Sequence, residues 1–287
     1  MYRAILLDLD GTLVDDQGLI RPRTLAALRA LDARGVRVMV STGRSEGGAR
    51  PVVAALGIPH PAVVYNGAAI WCAETDRLLE ERVLSNGAVQ RSLAYAAASD
   101  VLAVVMRGGE KVALEPRNDE ERDAIWLMED LRFVSTIDDL PREYLTRVTL
   151  LSRQHADSAV LYEEVERAIE TPVYLTHFPL AVLAQHRLSP IQVVDVQPPC
   201  RGKGEAVRWL WENHAIEAHE IVAVGDATND LPMFAAAGLA VAMQNAMPEA
   251  LAAADRVIGS NNTDAIAELV ESLEWIESRD PRAPSAL

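Results

Sequence analysis

The chain has 287 residues, room for one large domain or two smaller ones, and 49% of them are apolar, enough for a substantial core. Its net charge is −15 and its basic residues are scattered, which argues against a nucleic-acid footprint and against docking on an anionic membrane. A small anionic ligand is not excluded, because one basic pocket can sit inside an acidic protein.

Ala4–Leu9 is a short apolar run of the kind a buried parallel strand carries. Thr24–Arg34 has Leu25, Leu28 and Leu31 on one face with Gly35 just past its end, the pattern of a helix with a glycine cap. "VRVMVST" reads as a second strand, Pro51–Leu56 as a short helix closed by Gly57, and "AVVYNG" as a third strand. This alternation is that of a parallel α/β sheet. The last third repeats it, with strands "IQVVDV", "EIVAVGD", "LAVAM" and "RVI" and helices over Gly204–His214, Leu231–Ala237, Pro248–Ala254 and Asp264–Leu273. The tail "ESRDPRAPSAL" is polar and is expected to fray. Between the two halves, helical stretches (Ala88–Ala98, Glu120–Asp130, Ala156–Ile169) alternate with "VLAVVM", "KVALE", "RVTLLS" and "PVYL". The expected architecture is a Rossmann-like α/β core over 1–83 and 190–287, with an α+β domain inserted at 84–189.

Cys72 and Cys200 are far apart and form no Cys-x-x-Cys pair, so they are expected as reduced thiols. The first apolar run is too short for a signal peptide and no stretch is long enough to span a membrane. The expected location is the cytoplasm.

Four constellations fall at strand ends or helix starts, where open α/β sheets hold their ligands. They are Asp8-Leu9-Asp10-Gly11-Thr12, Ser41-Thr42-Gly43-Arg44, Lys203 in "CRGKGEA", and Gly225-Asp226-Ala227-Thr228-Asn229-Asp230. An aspartate in a turn is commonly a cap, but caps do not call for Asp-x-Asp at the end of a buried strand. Asp8, Asp10, Asp226 and Asp230 together would repel one another in a dry site, and Mg²⁺ suits such a set because it takes a few carboxylates with waters and phosphate oxygens. Thr42 and Gly43 offer a hydroxyl and free backbone N–H groups to a phosphate. Lys203 opens a helix, where its charge opposes the dipole unless an anion binds; taken alone, Lys203 or Arg44 reads as a solvated surface cation. There is no G-x-S-x-G, no Cys–His pair and no P-loop, and the six histidines show no metal-ligand spacing. An ionised aspartate is the nucleophile that remains, with a second aspartate two residues on for proton transfer.

These motifs resemble the haloacid dehalogenase superfamily and, within it, the Cof-type phosphatases (class IIB, with a C2 cap). The likeness rests on "DLDGTL", "STGR", "GKGEAVRWL" and "GDATNDLPMF", with echoes in "YNGA", "AVAMQNA" and "SNNTDAIAEL". It implies Asp8 as nucleophile and Asp10 as acid/base. It implies Leu9, Thr42, Gly43, Lys203 and Asn229 on the phosphate, and Asp8, Asp10 and Asp226 on Mg²⁺. Asp230, Arg44 and Asn66 stand behind them. Ala227 replaces a small hydroxyl residue common in relatives, and "TDAIA" replaces an Asp-Gly-Val pattern; neither removes a side chain the chemistry needs. The inserted domain follows the third strand, as in the Cof-type cap that reads the leaving group. The expected activity is Mg²⁺-dependent hydrolysis of a small phosphorylated metabolite, such as a sugar phosphate or phosphorylated cofactor, by a monomer or homodimer. A phosphomutase on the same core and a non-catalytic phospho-ligand sensor are the alternatives; net release of inorganic phosphate separates the phosphatase from the mutase, and the intact set of four motifs argues against the sensor, which need not keep Asp10.

Overall fold

The computed structural model describes residues 1–126, 128 and 131–276. The tail from Glu277 and part of the stretch expected to be helical over Glu120–Asp130 lie outside the described residues. The chain divides into two compact units, one of residues 1–80 with the chain from Arg201 onward, the other of residues 81–200. The architecture is α/β, a Rossmann-like parallel-sheet core whose chain is interrupted by an α+β unit.

The first unit opens with β1 (Ala4–Leu7), all four residues buried. Helix α1 (Pro22–Ala33) starts on a proline, whose missing N–H costs nothing in the first turn, and buries Leu28 and Leu31. Strand β2 (Arg37–Val40) and helix α2 (Glu46–Leu56) follow. Helix α2 begins five residues before the expected Pro51, because the Ser45 side chain accepts from the Gly48 N–H and caps an earlier start. Pro51 then forfeits a single bond, to the carbonyl of Gly47. Strand β3 (Ala62–Val64) is shorter than "AVVYNG", since Tyr65–Gly67 turn sharply into β4 (Ala69–Cys72), and β5 (Arg77–Glu81) completes a three-stranded sheet with β3 and β4.

The second unit contains α3 (Asn86–Ala98), β6 (Leu102–Arg107), β7 (Glu110–Leu114), α4 (Asp119–Ile125), β8 (Leu131–Val134), β9 (Arg147–Ser152), α5 (Ser158–Ile169), β10 (Tyr174–Pro179) and β11 (Gln192–Gln197). Its sheet runs β10-β11-β9-β6-β7-β8, antiparallel except for the β7–β8 pair. Leu93, Leu161, Val165 and Ile169 pack on Val105, Val148, Leu150, Val194 and Val196 to form its core. Strand β11 is the "IQVVDV" run, which the sequence pattern assigns to the other sheet; the unit accordingly extends to residue 200 rather than 189. Val194 and Val196 join this core, while Asp195 between them accepts from the Thr149 hydroxyl at 2.5 Å across the ladder. The apolar density is the same for either placement, and only the pairing partners differ.

The chain returns to the first unit with α6 (Glu205–His214), β12 (Ile221–Gly225), α7 (Leu231–Ala236), β13 (Leu239–Met243), α8 (Pro248–Ala253), β14 (Arg256–Ile258) and α9 (Ala265–Ser272). Its five-stranded sheet is parallel, in the order β14-β13-β12-β1-β2. The chain leaves β1 toward β2 and later returns on its other side as β12, so the strand order reverses at β1. Ligands of open α/β sheets bind at the carboxyl ends of strands at such a reversal. Among the described residues no helix is long and apolar enough to cross a membrane.

Candidate active site

Asp8 follows β1 directly, and its N–H donates to the Val224 carbonyl at 3.0 Å, so the ends of β1 and β12 are stitched together. Asp8 is 5% exposed. An unpartnered carboxylate there would be costly, and the partner is Lys203. The Lys203 side chain is fully buried, and its Nζ donates to Asp8 Oδ1 at 2.7 Å and to Asp230 Oδ1 at 2.5 Å. The surface reading of this lysine is therefore set aside. Burial alone would push its ammonium down, but Asp230 and Asp8 outweigh that and hold its pKa above the ordinary lysine value.

Asp230 is itself pinned. Its Oδ2 accepts from the backbone N–H groups of Asp226 and Ala227 at 2.8 and 2.9 Å. That ties the loop after β12 into place and sets Asp226 beside Asp8. The Thr12 hydroxyl donates to Asp226 Oδ1 at 3.0 Å. Thr12 stands in the first motif, but its part in fixing a carboxylate 214 residues away leaves no trace in spacing.

One oxygen each from Asp8, Asp226 and Asp230 lie within 4.8 Å of one another, a group able to hold a metal ion. The Asp10 carboxylate is not in that group. Arg44 clasps it with Nε at 2.8 Å and Nη2 at 2.6 Å, the bidentate geometry that guanidinium and carboxylate favour. Four acids thus meet two cations, a shortfall of two positive charges. Burial pushes the Asp8 carboxyl up to about 7, with Asp230 and Asp10 adding to the rise and Lys203 opposing it. Burial also lifts Asp226 well above its ordinary value, reinforced by Asp8 and Asp230.

This has a measurable consequence. Asp8 binds its proton more tightly in the folded chain than in the unfolded one, where a carboxyl titrates near 4. Protons therefore favour the folded state between those values. In chelator, the stability contributed by this group is present below about pH 4 and lost as pH rises through about 7. The Tm of the metal-free protein should fall over that window, and the Asp8→Asn variant should fall less. Parallel curves for the two proteins would contradict the assignment.

The loop after β2 behaves partly as expected. Ser41 donates to the Lys203 carbonyl at 3.2 Å, and the Arg44 N–H donates to the Thr42 hydroxyl oxygen at 3.1 Å. The Thr42 N–H, expected to be free for a phosphate, is used instead by the Val63 carbonyl at 2.9 Å. What Thr42 retains is its hydroxyl proton. Asn229 donates from Nδ2 to Asn66 Oδ1 at 3.0 Å. The side chain of Leu9 is fully buried in the core, so only its backbone is available to a ligand. All the sequence-derived site residues belong to this one unit.

The family described as haloacid dehalogenase-like hydrolase matches residues 5–270 of this chain. The pyridoxal phosphate phosphatase YbhA of Escherichia coli is 26% identical over 276 residues, covering 94% of this chain and 98% of its own. The HMP-PP phosphatase of Serratia proteamaculans is 28% identical over 288 residues, with 97% of each chain covered. Among solved structures, a haloacid dehalogenase-like hydrolase from Bacteroides thetaiotaomicron shares the fold with a TM-score of 0.76 at 25% identity, over 94% of this chain and 99% of that one.

Proposed function

Because the chain belongs to the haloacid dehalogenase-like hydrolase family and is a phosphoric monoester hydrolase, we propose that it is a Mg²⁺-dependent phosphatase. Its substrate is a small phosphorylated metabolite and its intermediate an aspartyl-phosphate. The observation that carries this reading is the cluster of Asp8, Asp226 and Asp230 around the single ammonium of Lys203, three carboxylates short of two positive charges at the reversal point of the sheet.

The donor set suits a hard divalent ion. The side chains of the group are all carboxylates, and burial together with the neighbouring acids holds the Asp8 and Asp226 carboxyls above their ordinary values. Asp8 and Asp226 would hold Mg²⁺ by their carboxylates. Asp10 has its carboxylate on Arg44, so any part it takes in coordination falls to its main-chain carbonyl. The bound ion supplies charge neutralisation to the carboxylates and to the phosphoryl oxygens.

The rest is done by the chain. Lys203, the Thr42 hydroxyl, the Gly43 and Leu9 backbone and Asn229 grip the phosphoryl group. An Asp8 carboxylate oxygen forms a bond to phosphorus while the bond to the leaving oxygen breaks, and Asp10 gives that oxygen a proton. Asp10 then takes a proton from water as the water oxygen attacks phosphorus. Orthophosphate leaves and Asp8 is regenerated. Arg44 holds the Asp10 carboxylate in one orientation through both steps. Leaving-group selectivity we assign to the inserted unit. The name of one relative gives pyridoxal phosphate as its substrate, which supports a phosphorylated cofactor here.

A screen of phosphorylated metabolites for orthophosphate release tests this. Release should require a divalent cation, vanish with chelator, and be faster with Mg²⁺ than with Ca²⁺, whose looser coordination misplaces the reacting groups. Undiminished turnover in excess chelator would sink the metal assignment. Conversion of a monophosphate to its isomer without phosphate release would make the protein a mutase.

A further inference from the structure

Tyr65, Asn66 and Gly67 take φ angles of 52°, 50° and 98° in succession. Left-handed backbone is disfavoured for a residue such as tyrosine, and a run of it persists only where the surroundings over-determine it. Those surroundings are the site. The Tyr65 N–H donates to the Arg44 carbonyl at 2.8 Å and the Asn66 N–H to the Thr42 carbonyl at 3.0 Å. Gly67 lies so close to the turn before α6 that a Cβ on it would stand 2.1 Å from the Gly202 carbonyl oxygen. Asn66 is 3% exposed, and its Oδ1 accepts from Asn229 Nδ2 at 3.0 Å. A Cβ on Gly43 would stand 2.9 Å from the same oxygen. One three-residue turn therefore touches the loop after β2, the turn carrying Lys203 and the loop after β12.

Asn229 has a second peculiarity. Its Oδ1 is buried with no partner among the described residues. Buried polar atoms are nearly always paired; an amide oxygen only accepts, so this one awaits a donor from a bound ligand, while the nitrogen beside it keeps one N–H beyond its bond to Asn66. We propose that Asn66 is a positioning residue for phosphate binding. It accepts one of the two Asn229 Nδ2 hydrogens, stops that carboxamide from rotating, and leaves the second N–H for a phosphoryl oxygen. Asparagine meets both demands of the position, because it tolerates left-handed φ and carries the acceptor. The inference rests on the phosphatase reading and assigns a role within that site.

Asn66→Gly keeps the backbone preference of the turn and removes only the carboxamide. The measurements are kcat and KM for a phosphomonoester, the inhibition constant for orthophosphate, and a melting curve. Asn66→Gly should raise the orthophosphate inhibition constant and lower kcat/KM by roughly five- to tenfold, the weight of one hydrogen bond. Asn229→Ala should do at least as much. Added to Asn229→Ala, the Asn66→Gly change should cost nothing further, since it acts only through the lost side chain. Should the glycine variant melt early, Asn66→Ser carries the same cycle, its shorter side chain being unable to reach Asn229. Additive losses in the double variant, or unchanged orthophosphate inhibition in a folded Asn66 variant, would overturn the role while leaving an active wild-type phosphatase. A wild-type protein that releases no phosphate from any monoester overturns the phosphatase reading and this role with it.

Discussion

Asp8→Asn will abolish phosphate release, and Asp10→Asn will leave the protein phosphorylated on Asp8. The two variants differ by one atom each from the parent, so neither disturbs packing. At position 8 a carboxamide can still accept from Lys203 Nζ, which now reaches Asp8 Oδ1 at 2.7 Å, but it cannot become an acyl-phosphate. At position 10 the carboxamide still offers Arg44 one oxygen, yet it can neither protonate a leaving oxygen nor activate water. Losing such a group typically slows turnover by about 10²–10⁴-fold. An aryl phosphate, whose leaving group needs little protonation, should still load Asp8 while hydrolysis of the loaded form lags. Intact-mass measurement of the Asp10→Asn protein should then show a single phosphoryl adduct, and peptide mapping should find it on Asp8. An adduct on any other residue means that the nucleophile is misassigned.

Lys203→Met should damage both stability and activity, for one physical reason. The ammonium lies between the Asp8 and Asp230 carboxylates, 5% and 0% exposed. Removing it leaves two buried acids uncompensated, a loss that typically costs about 3–5 kcal/mol. A fall in Tm on the order of 10 °C is expected. Activity should drop at least as far as when one oxyanion donor is removed, about 10²–10³-fold. Lys203→Arg should not rescue it, because a planar fork cannot replace a compact ammonium in a site with no free exposure. Adding Asp230→Asn to Lys203→Met should restore part of the Tm and none of the activity. A Lys203→Met protein that melts with the parent would show that the pairing does not hold the site together.

Much of this was legible in the chain, for a reason visible at Asp8. A strand that is apolar throughout and then ends in a carboxylate is locally inconsistent, and such breaks mark function. The motifs after β1, β2 and β12 are breaks of this kind, and each is short enough to be read within one element. What could not be read is which element meets which. The clasp of Asp10 by Arg44, the grip of Thr12 on Asp226 and the Asn66–Asn229 bond join residues 34, 214 and 163 positions apart. The same blindness moved β11 into the wrong sheet, since Val193, Val194 and Val196 suit either one. The start of α2 was hidden by two glycines and Pro51, whose low helix propensity is overridden by the Ser45 cap and by burial of Ala49, Val52 and Val53. Thr42 illustrates a subtler loss. A backbone N–H after a strand looks free in sequence, and only the neighbouring Val63 carbonyl reveals that it is spent.

The strand order of the first unit also dictates when that unit can exist. Strand β1 is made before the others of its sheet, yet it lies between β2 and β12, and Ala4 finds its partner only once Ile221 has been synthesised. Until then Asp8 has neither Lys203 nor the Val224 carbonyl. The six strands over 102–197 pair with one another, all of them from one continuous segment. On the ribosome, where chains emerge from the N-terminus and closing long loops delays folding, the order of assembly is inverted. The later-made insertion has all its strands before β1 has its second neighbour, and the sheet begun by β1 and β2 stays half-built until β12 emerges. A nascent β1–β2 pair carries an unpaired inner edge throughout that wait, the kind of edge that recruits wrong partners. The two aspartates that end β1 put charge at the mouth of that edge long before they have a phosphate to meet.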